Sequence, residues 1–353
     1  MTVFSSRAKL WTRIGTFLGI AVFALAFIGI FVPVDKGSSQ ETVFSIERGQ
    51  GSREIGYNLQ TQGLIRLSPL FRIYAVTTGA SFKLQAGDYL LSPSLSMADM
   101  MRKFTTGDVI QEKLTIVEGW NLRDIGWHLE GRGMFMAEEL FELVGFPAID
   151  YRKSNDLPPL KDFSAEYSFL KDKPDFVGLE GYLFPDTYLV RRGETLEEIV
   201  GKALSHFAKK FDQRLITETA RQKKTIFSVV TMASLLEKEV RTLQDKRIVA
   251  GVLWKRLSAG MALQVDATVA YLTGEKTTQI SREETQIDSR FNTYKYPGLP
   301  AGPIANPGLD SLEAALYAQD SQFWYYLSTP EGTTIFSKTL EEHNIAKAKY
   351  LKN

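Results

Sequence analysis

The sequence predicts an α+β fold carried on a single N-terminal transmembrane helix. Three observations predict it. The chain opens with a long uncharged apolar run, its middle contains a repeat with the order strand–helix–helix–strand, and its C-terminal third is helix-rich, interrupted by a Pro- and Gly-rich loop and a hairpin.

The apolar run, IGTFLGIAVFALAFIGIFVPV from Ile14 to Val34, is 21 residues without a charge, and about 20 suffice to cross a bilayer. Arg7, Lys9 and Arg13 precede it, while Asp35 and Lys36 follow. By the positive-inside rule the tail, residues 1–13, stays in the cytoplasm and the remainder is exported. The run is longer than a signal-peptide core and no A-x-A site follows, which favours an uncleaved anchor over a cleaved leader. Residues 35–42 read as a short polar linker.

Sliding the chain against itself aligns FSIERGQGSREIGYNLQTQGLIRLSPLFRIY, from Phe44, with LTIVEGWNLRDIGWHLEGRGMFMAEELFELV, from Leu114, at an offset of 70. Gly49/Gly119, Arg53/Arg123, Gly56/Gly126, Leu59/Leu129, Gly63/Gly133 and Phe71/Phe141 are identical pairs. Each copy reads as a strand, a Gly turn, a helix closing at a glycine, and a second helix opening at Ser68 or at Ala137–Glu138. YLLSPSLSMADMM, from Tyr89, then matches YLVRRGETLEEIV, from Tyr188, at an offset of 99. Ser96 with Asp99 and Thr195 with Glu198 have capping-box spacing. The change of offset places an inserted loop at about residues 150–178 of the second copy, where Pro, Asp and Lys concentrate. The modules are residues 43–112 and 113–224, and a catalytic-sized α+β domain occupies 225–353.

In that last domain IFSVVTMASLLEKEV is a helix, and DKRIVAGVLWKRLSAG is a second that stops at Gly260. ALQVDATVAYLTG is a short strand followed by a helix N-capped by Asp266. The loop RFNTYKYPGLPAGPIANPG is too rich in aromatics to be a linker. SLEAALYAQDS is a helix, FWYYLSTPEGTTIFS a hairpin turning at Pro330–Gly332, and LEEHNIAKAKYLK a terminal helix.

Composition excludes several functions. Forty-two basic against 41 acidic side chains leave a net charge of +1 with no basic domain, so nucleic acid is not an expected partner. The absence of cysteine removes disulfides, thiolate metal sites and a cysteine nucleophile. The histidines, His128, His206 and His343, are far apart, so a His-rich metal site or a Ser-His-Asp triad could arise only by long-range assembly. No cofactor is expected.

TMASLLEKEV, residues 231–240, places Glu237 and Glu239 at the end of an apolar helix. Residues two apart on a helix do not face each other, so these carboxylates cannot form one paired site. Near a helix C-terminus and among apolar groups, a glutamate's charged form is disfavoured by the dipole and by desolvation, which moves it towards the range of a general acid at neutral pH. Taken alone, however, the segment reads as a solvated helix end. Ser234 and Lys238 lack the Ser-x-x-Lys spacing of a hydrolase pair, and Ser234 reads as bonding to its own backbone.

EGWNLRDI (118–125), LEGYLFPDTYLV (179–190), ASLLEKEV (233–240), RLSAGMALQVDATVAY (256–271), FNTYKYPGLPAGPIANPGLDSLEAAL (291–316) and FSKTLEEHN (336–344) occur in order. Together they resemble the YceG-like family of endolytic murein transglycosylases over nearly the whole chain. The resemblance implies LysM-like modules outside the inner membrane and a catalytic domain that cuts peptidoglycan glycan strands. It implies Glu237 as the catalytic glutamate, and Gln264, Asp266, Asn292, Tyr294, Asn306 and Glu180 as substrate-binding residues. The motif residues Gly298, Leu299, Pro300, Gly302, Pro303 and Pro307 would border the cleft. Penicillin-binding proteins of the wall-synthesis machinery are the partners it suggests, and termination of nascent strands the role. Ala301 stands where the family commonly has a second proline, and Thr334 where it often has histidine.

Ordinary glycoside hydrolysis needs two carboxylates, about 5–9.5 Å apart. The lytic reaction implied by the resemblance needs one glutamate, which protonates the leaving oxygen and then deprotonates the muramic acid's own C6 hydroxyl. That nucleophile is intramolecular, so its effective molarity replaces the second carboxylate. The alternatives are a non-catalytic peptidoglycan-binding scaffold and a hydrolytic muramidase using Asp266 or Glu180 as second carboxylate.

Overall fold

The computed structural model describes residues 3–153, 156–275 and 280–351. Residues 1–2 of the tail, 154–155 of the inserted loop, and 276–279 and 352–353 of the C-terminal domain lie outside the described residues. The fold is α+β, with short two-stranded sheets among many helices. The chain divides into two compact units, Met1–Lys113 with Leu189–Glu194, and Leu114–Tyr188 with Thr195–Asn353.

The first unit begins with α1 (Val3–Phe31). Its segment Arg13–Phe31, 19 residues with mean hydropathy 2.5, is long and apolar enough to cross a membrane. Residues 32–34, expected within the span, lie past the helix end. Pro33 has no N–H to continue the ladder. Then follow β1 (Thr42–Ile46), α2 (Ser52–Thr61), α3 (Ser68–Thr77), β2 (Gly87–Leu91) and α4 (Met97–Thr106). β1 and β2 pair antiparallel with Phe44 opposite Tyr89. Both rings turn inwards and meet Phe104 at 5.9 and 4.8 Å, while Phe71 of α3 meets it at 6.3 Å. Ile55, Leu59, Met100 and Leu91 complete this core, all fully buried. The capping box expected at Ser96 and Asp99 is formed.

The second repeat follows the same order with β3 (Gln111–Thr115), α5 (Leu122–Gly131), α6 (Ala137–Val144), β4 (Thr187–Arg191) and α7 (Leu196–Lys210), and β3 pairs with β4. The identical glycines have identical duties. Gly49 and Gly119 turn the chain with φ of +84° and +77°. Gly56 and Gly126 let the paired helices approach, because a Cβ on either would meet Phe71 or Phe141 at 3.1 or 2.9 Å. The insertion leaves at Val144 and returns at Leu179, whose N–H donates to the Val144 carbonyl at 2.7 Å. Thr195 and Glu198 form the second capping box. Phe169, Tyr182, Phe207 and Phe211 stack as an aromatic core, with Phe169 and Phe207 at 4.7 Å and Phe207 and Phe211 at 5.6 Å.

The same unit continues with α8 (Gln213–Arg221), α9 (Ile226–Glu239), α10 (Leu243–Ser258), α11 (Asp266–Thr273), α12 (Leu309–Leu316), the hairpin β5 (Tyr325–Ser328) and β6 (Thr334–Ser337), and α13 (Leu340–Tyr350). Every residue of α9 from Val229 to Leu236 is buried, because α8, α10, α11 and α12 pack against it. Such a helix is apolar on all sides rather than striped. Two expectations are corrected. Residues 261–265 form no strand, since Gln264 sits at φ +53° and its N–H donates to Thr293 O at 3.1 Å. Val265 holds the N-cap position of α11, and Asp266 is its first helical residue.

Phe104 is buried completely and touches three other rings. Truncation of such a residue leaves a cavity, so Phe104→Ala is expected to destabilise the protein by about 3–5 kcal/mol. Urea titration followed by circular dichroism checks this, with Phe82→Ala, at a 97 % exposed position, as the silent control.

Candidate active site at the end of the buried helix

The two glutamates leave α9 in different directions, as helix geometry requires of residues two apart. Glu237, placed by the sequence reading in the acid's role, turns towards α12 and is surrounded by donors. Its Oε1 accepts from Lys246 Nζ at 3.1 Å, and its Oε2 accepts from Gly308 N at 3.0 Å and Ser311 Oγ at 2.6 Å. Lys246, on α10, is buried with it. The carboxylate thus caps the N-terminus of α12, where helix N–H groups and dipole favour an anion. Glu118 lies close by, and a Cβ on Gly308 would collide with its Oε1 at 2.0 Å, which explains glycine there. Burial, then the Glu237 charge, raises the Glu118 carboxyl above its ordinary range.

Glu239 turns towards α11 and the hairpin. Tyr326 Oη donates to its Oε2 at 3.0 Å, and the Ala267 N–H near the start of α11 donates to its carboxyl. Burial pushes its pKa up to about 7, and the Asp266 charge adds to that rise against these two hydrogen bonds. Tyr294 Oη donates to Asp266 Oδ1. Burial and that bond together hold the Tyr294 phenol protonated well beyond its ordinary range. Asp266 and Gln264 are exposed and Tyr294 is partly so. Glu239, Asp266, Tyr294 and Tyr326 therefore form a half-open polar cluster in which one carboxyl is kept near neutrality.

Behind it stands Arg256, buried, donating from Nε to Trp324 O and from Nη1 to Leu263 O, both at 2.8 Å. Its guanidinium lies 5.0 Å from the Tyr325 ring, whose other neighbour is His343 at 5.3 Å. These contacts hold β5, and with it Tyr326. Thr334, at the family's histidine position, pairs with Ser328 across the hairpin, and Ser328 Oγ donates to the Glu239 carbonyl at 2.9 Å.

The remaining sequence candidates are buried braces. Asn292 is fully enclosed: its amide donates to Thr285 O and Ile287 O at 3.0 and 2.9 Å, and its Oδ1 accepts from Tyr294 N. Asn306 accepts from Leu183 N and donates to Trp120 O and Glu180. Glu180 accepts from Leu122 N, Tyr271 Oη and Asn306 Nδ2, and burial raises its pKa to about 7. These three side chains are buried and hydrogen-bonded within the protein rather than presented to solvent. Gly302 and Pro303 pack inwards too, a Cβ on Gly302 meeting Val177 at 2.8 Å. Ser234 Oγ donates to Thr231 O and accepts from Ile304 N, and Lys238 Nζ donates to Gly119 O. Among the described residues no group of three or more His, Asp and Glu side chains is placed to hold a metal ion.

Sequence reasoning weighed Glu239 but gave the acid's role to Glu237, and it did not single out Tyr326 or Arg256, which the structure places beside Glu239. Glu239 carried the same signal as Glu237. Lys246, in the first turn of α10, is a nearby cation in the sequence that the structure pairs with Glu237 and not with Glu239.

Residues 44–349 match the YceG-like family model. The chain is 32 % identical to the endolytic murein transglycosylase of Bacillus subtilis (strain 168) over 331 residues, covering 90 % of this chain and 87 % of that one. It is 31 % identical to the endolytic murein transglycosylase of Streptococcus pneumoniae (strain R6), spanning 89 % of this chain but 59 % of that longer one. A crystal structure of a YceG-like protein from Listeria monocytogenes, 30 % identical, superposes with a TM-score of 0.56 over 88 % of this chain and 100 % of the other.

The Glu237–Lys246 pair generates a stability prediction. Removing one partner of a buried ion pair leaves an uncompensated charge and costs about 3–5 kcal/mol. Lys246→Met is expected to lose that amount in chemical denaturation, and Glu237→Met/Lys246→Met to recover only part of it, because the Gly308 N–H and Ser311 hydroxyl also lose their acceptor. A double variant no more stable than the single one would show that the pair's charges do not account for the loss.

Proposed function

The chain belongs to the YceG-like family, and from that membership and the geometry at the end of α9 we propose that it is a membrane-anchored lytic transglycosylase cutting peptidoglycan glycan strands internally, with Glu239 as acid and base. The observation that carries the assignment is the contrast between the two glutamates. Glu237 is held by a lysine, a serine and a backbone N–H, whereas Glu239, with a pKa of about 7, lies beside exposed Asp266 and partly exposed Tyr294. A group with that pKa is half-protonated at neutral pH and can serve in both directions of proton transfer.

Protonated Glu239 gives its proton to the glycosidic oxygen between N-acetylmuramic acid and N-acetylglucosamine as that bond breaks. The resulting carboxylate takes the proton of the muramic acid C6 hydroxyl as its oxygen attacks C1, leaving a 1,6-anhydro end. No water enters, and the tethered hydroxyl supplies the effective concentration. Asp266, through its charge, both holds Glu239 protonated at the start and favours the oxocarbenium-like state, while Tyr294 and Gln264 offer polar contacts to the sugar. Asp266 also supports a second reading, hydrolysis by a carboxylate pair. Product mass separates the two, because an anhydro end is lighter by one water.

By the positive-inside rule, α1 would anchor the protein in the cytoplasmic membrane with the C-terminal domain outside the cytoplasm. The paired strand–helix–helix–strand modules fit LysM-like units, and a part in ending nascent strands alongside penicillin-binding proteins rests on the family resemblance.

Glu239→Gln is expected to lower release of anhydro-muropeptides from purified sacculi by about a hundred- to ten-thousand-fold while sacculus binding persists. Full activity in that variant, or its loss only in a correctly folded Glu237→Gln, would return the acid's role to Glu237. The pH profile of kcat/KM should fall on the alkaline side with an apparent pKa near 7, since the first step needs Glu239 protonated.

A further inference from the structure

The last turn of α1 is fastened to α3. A Cβ on Gly29 would fall 2.5 Å from Leu70 Cδ2, so the two helices touch at that point. The Phe31 and Tyr74 rings meet edge-on at 6.3 Å. Arg66, just ahead of α3, donates to the carbonyls of Val32, Pro33 and Val34 at 2.7, 2.6 and 3.3 Å, closing the open end of α1. If α1 crosses the bilayer, as proposed above, α3 stands where the helix leaves it.

The outward side of α3 is not built for water. Phe71 and Ala75 point into the core, and Leu70 and Tyr74 line the side that meets α1. On the flank beyond Leu70 stand Ile73 and Val76, 58 % and 61 % exposed, with Leu67 before the helix at 57 % and Phe82 after it at 97 %. Between Glu54 and Asp88 the sequence has Arg66, Arg72 and Lys83 and no carboxylate. The second repeat provides an internal comparison: where α3 has Ser68, Pro69 and Arg72, α6 has Glu138, Glu139 and Glu142.

We propose that this edge, Leu67, Ile73, Val76 and Phe82 with Arg66, Arg72 and Lys83, is a membrane-docking surface seated in the headgroup layer of an anionic phospholipid bilayer. Apolar side chains flanked by cations and free of carboxylates match an interface with buried acyl chains below and negative phosphates beside them. Its continuity with α1 selects lipid as the occupant. The inference rests on α1 being a membrane span. It adds that the first module lies against the membrane rather than hanging free on a linker.

The chain has no cysteine, so single-cysteine variants label cleanly. Full-length protein carrying Phe82→Cys, Val76→Cys or Leu25→Cys, each labelled with NBD, would be reconstituted in phosphatidylethanolamine–phosphatidylglycerol vesicles with or without doxyl-labelled lipid. The expected result is blue-shifted emission at 82 and 76 and a loss of intensity with doxyl lipid comparable to that at 25. Quenching at 25 with water-like, unquenched emission at 82 and 76 would overturn the docking surface and leave the anchor standing. Absence of quenching at all three would remove the anchor and the inference together. A blue shift at 82 and 76 that is insensitive to doxyl lipid and grows with protein concentration would assign the face to a second copy instead.

Discussion

A carboxylate at the end of a helix that is apolar on every side has to be neutralised or satisfied, and Glu237 is satisfied by three donors from two elements at once. Lys246 brings α10, and Gly308 and Ser311 bring the start of α12. Desolvating both charges is costly, and only good geometry with additional hydrogen bonds offsets it. That requirement fixes the register of α9 against α10 and α12. Two residues on, the direction of Glu239 is then no longer free. The helix period sends it to the opposite side, towards α11 and the hairpin, where donors are fewer and burial dominates. One glutamate is met by a lysine and two further donors, and the other, buried with fewer donors, has its pKa raised to about 7.

The hairpin and the N-terminus of α11 reach Glu239 through equally specific contacts. Arg256 holds Trp324 and Leu263, one on the chain entering the hairpin and the other on the chain entering α11. A single buried guanidinium thus ties together the two segments that contribute Tyr326 and Asp266. Tyr294 reaches the cluster because Asn292, two residues earlier, is locked by four hydrogen bonds inside its own loop. The polar residues that look idle in the interior are what aim those at the surface.

Much of the fold was legible in the sequence, because it follows from local rules. The repeat was visible from paired glycines whose duties are steric, as Gly56 and Gly126 show against Phe71 and Phe141. Capping boxes at Ser96 and Thr195 need only their own neighbours. The insertion was marked by its composition, though not its closure at Val144 and Leu179. The site was less legible, for one physical reason: residue type does not reveal which polar groups are buried. Asn292, Asn306 and Glu180 have the chemistry of sugar-binding groups and were read so, yet each has its hydrogen-bonding capacity consumed within the protein. Residue type did not tell Glu237 from Glu239 for the same reason, and only the resemblance pointed to Glu237. Their difference lies in Lys246 and Ser311, whose proximity depends on how three helices pack.

The raised carboxyls also connect the site to the stability of the fold. Glu239 and Glu180 both have pKa values of about 7 in the folded protein, above those of an unfolded chain. Between the ordinary carboxylate range, about 4.3 for glutamate, and neutrality, the folded state binds more protons than the unfolded one. Stability attributable to these groups is therefore fully present in acid and declines as pH rises towards 7. For Glu180 this cost accompanies the bracing of α5 and Asn306, and it yields no exposed acid. For Glu239 it falls beside exposed Asp266 and partly exposed Tyr294, where, on the proposed reading, a carboxyl reluctant to ionise has a proton to give. On the proposed reading, burial alone would not mark the acid; burial beside exposed Asp266 and Gln264 and partly exposed Tyr294 would.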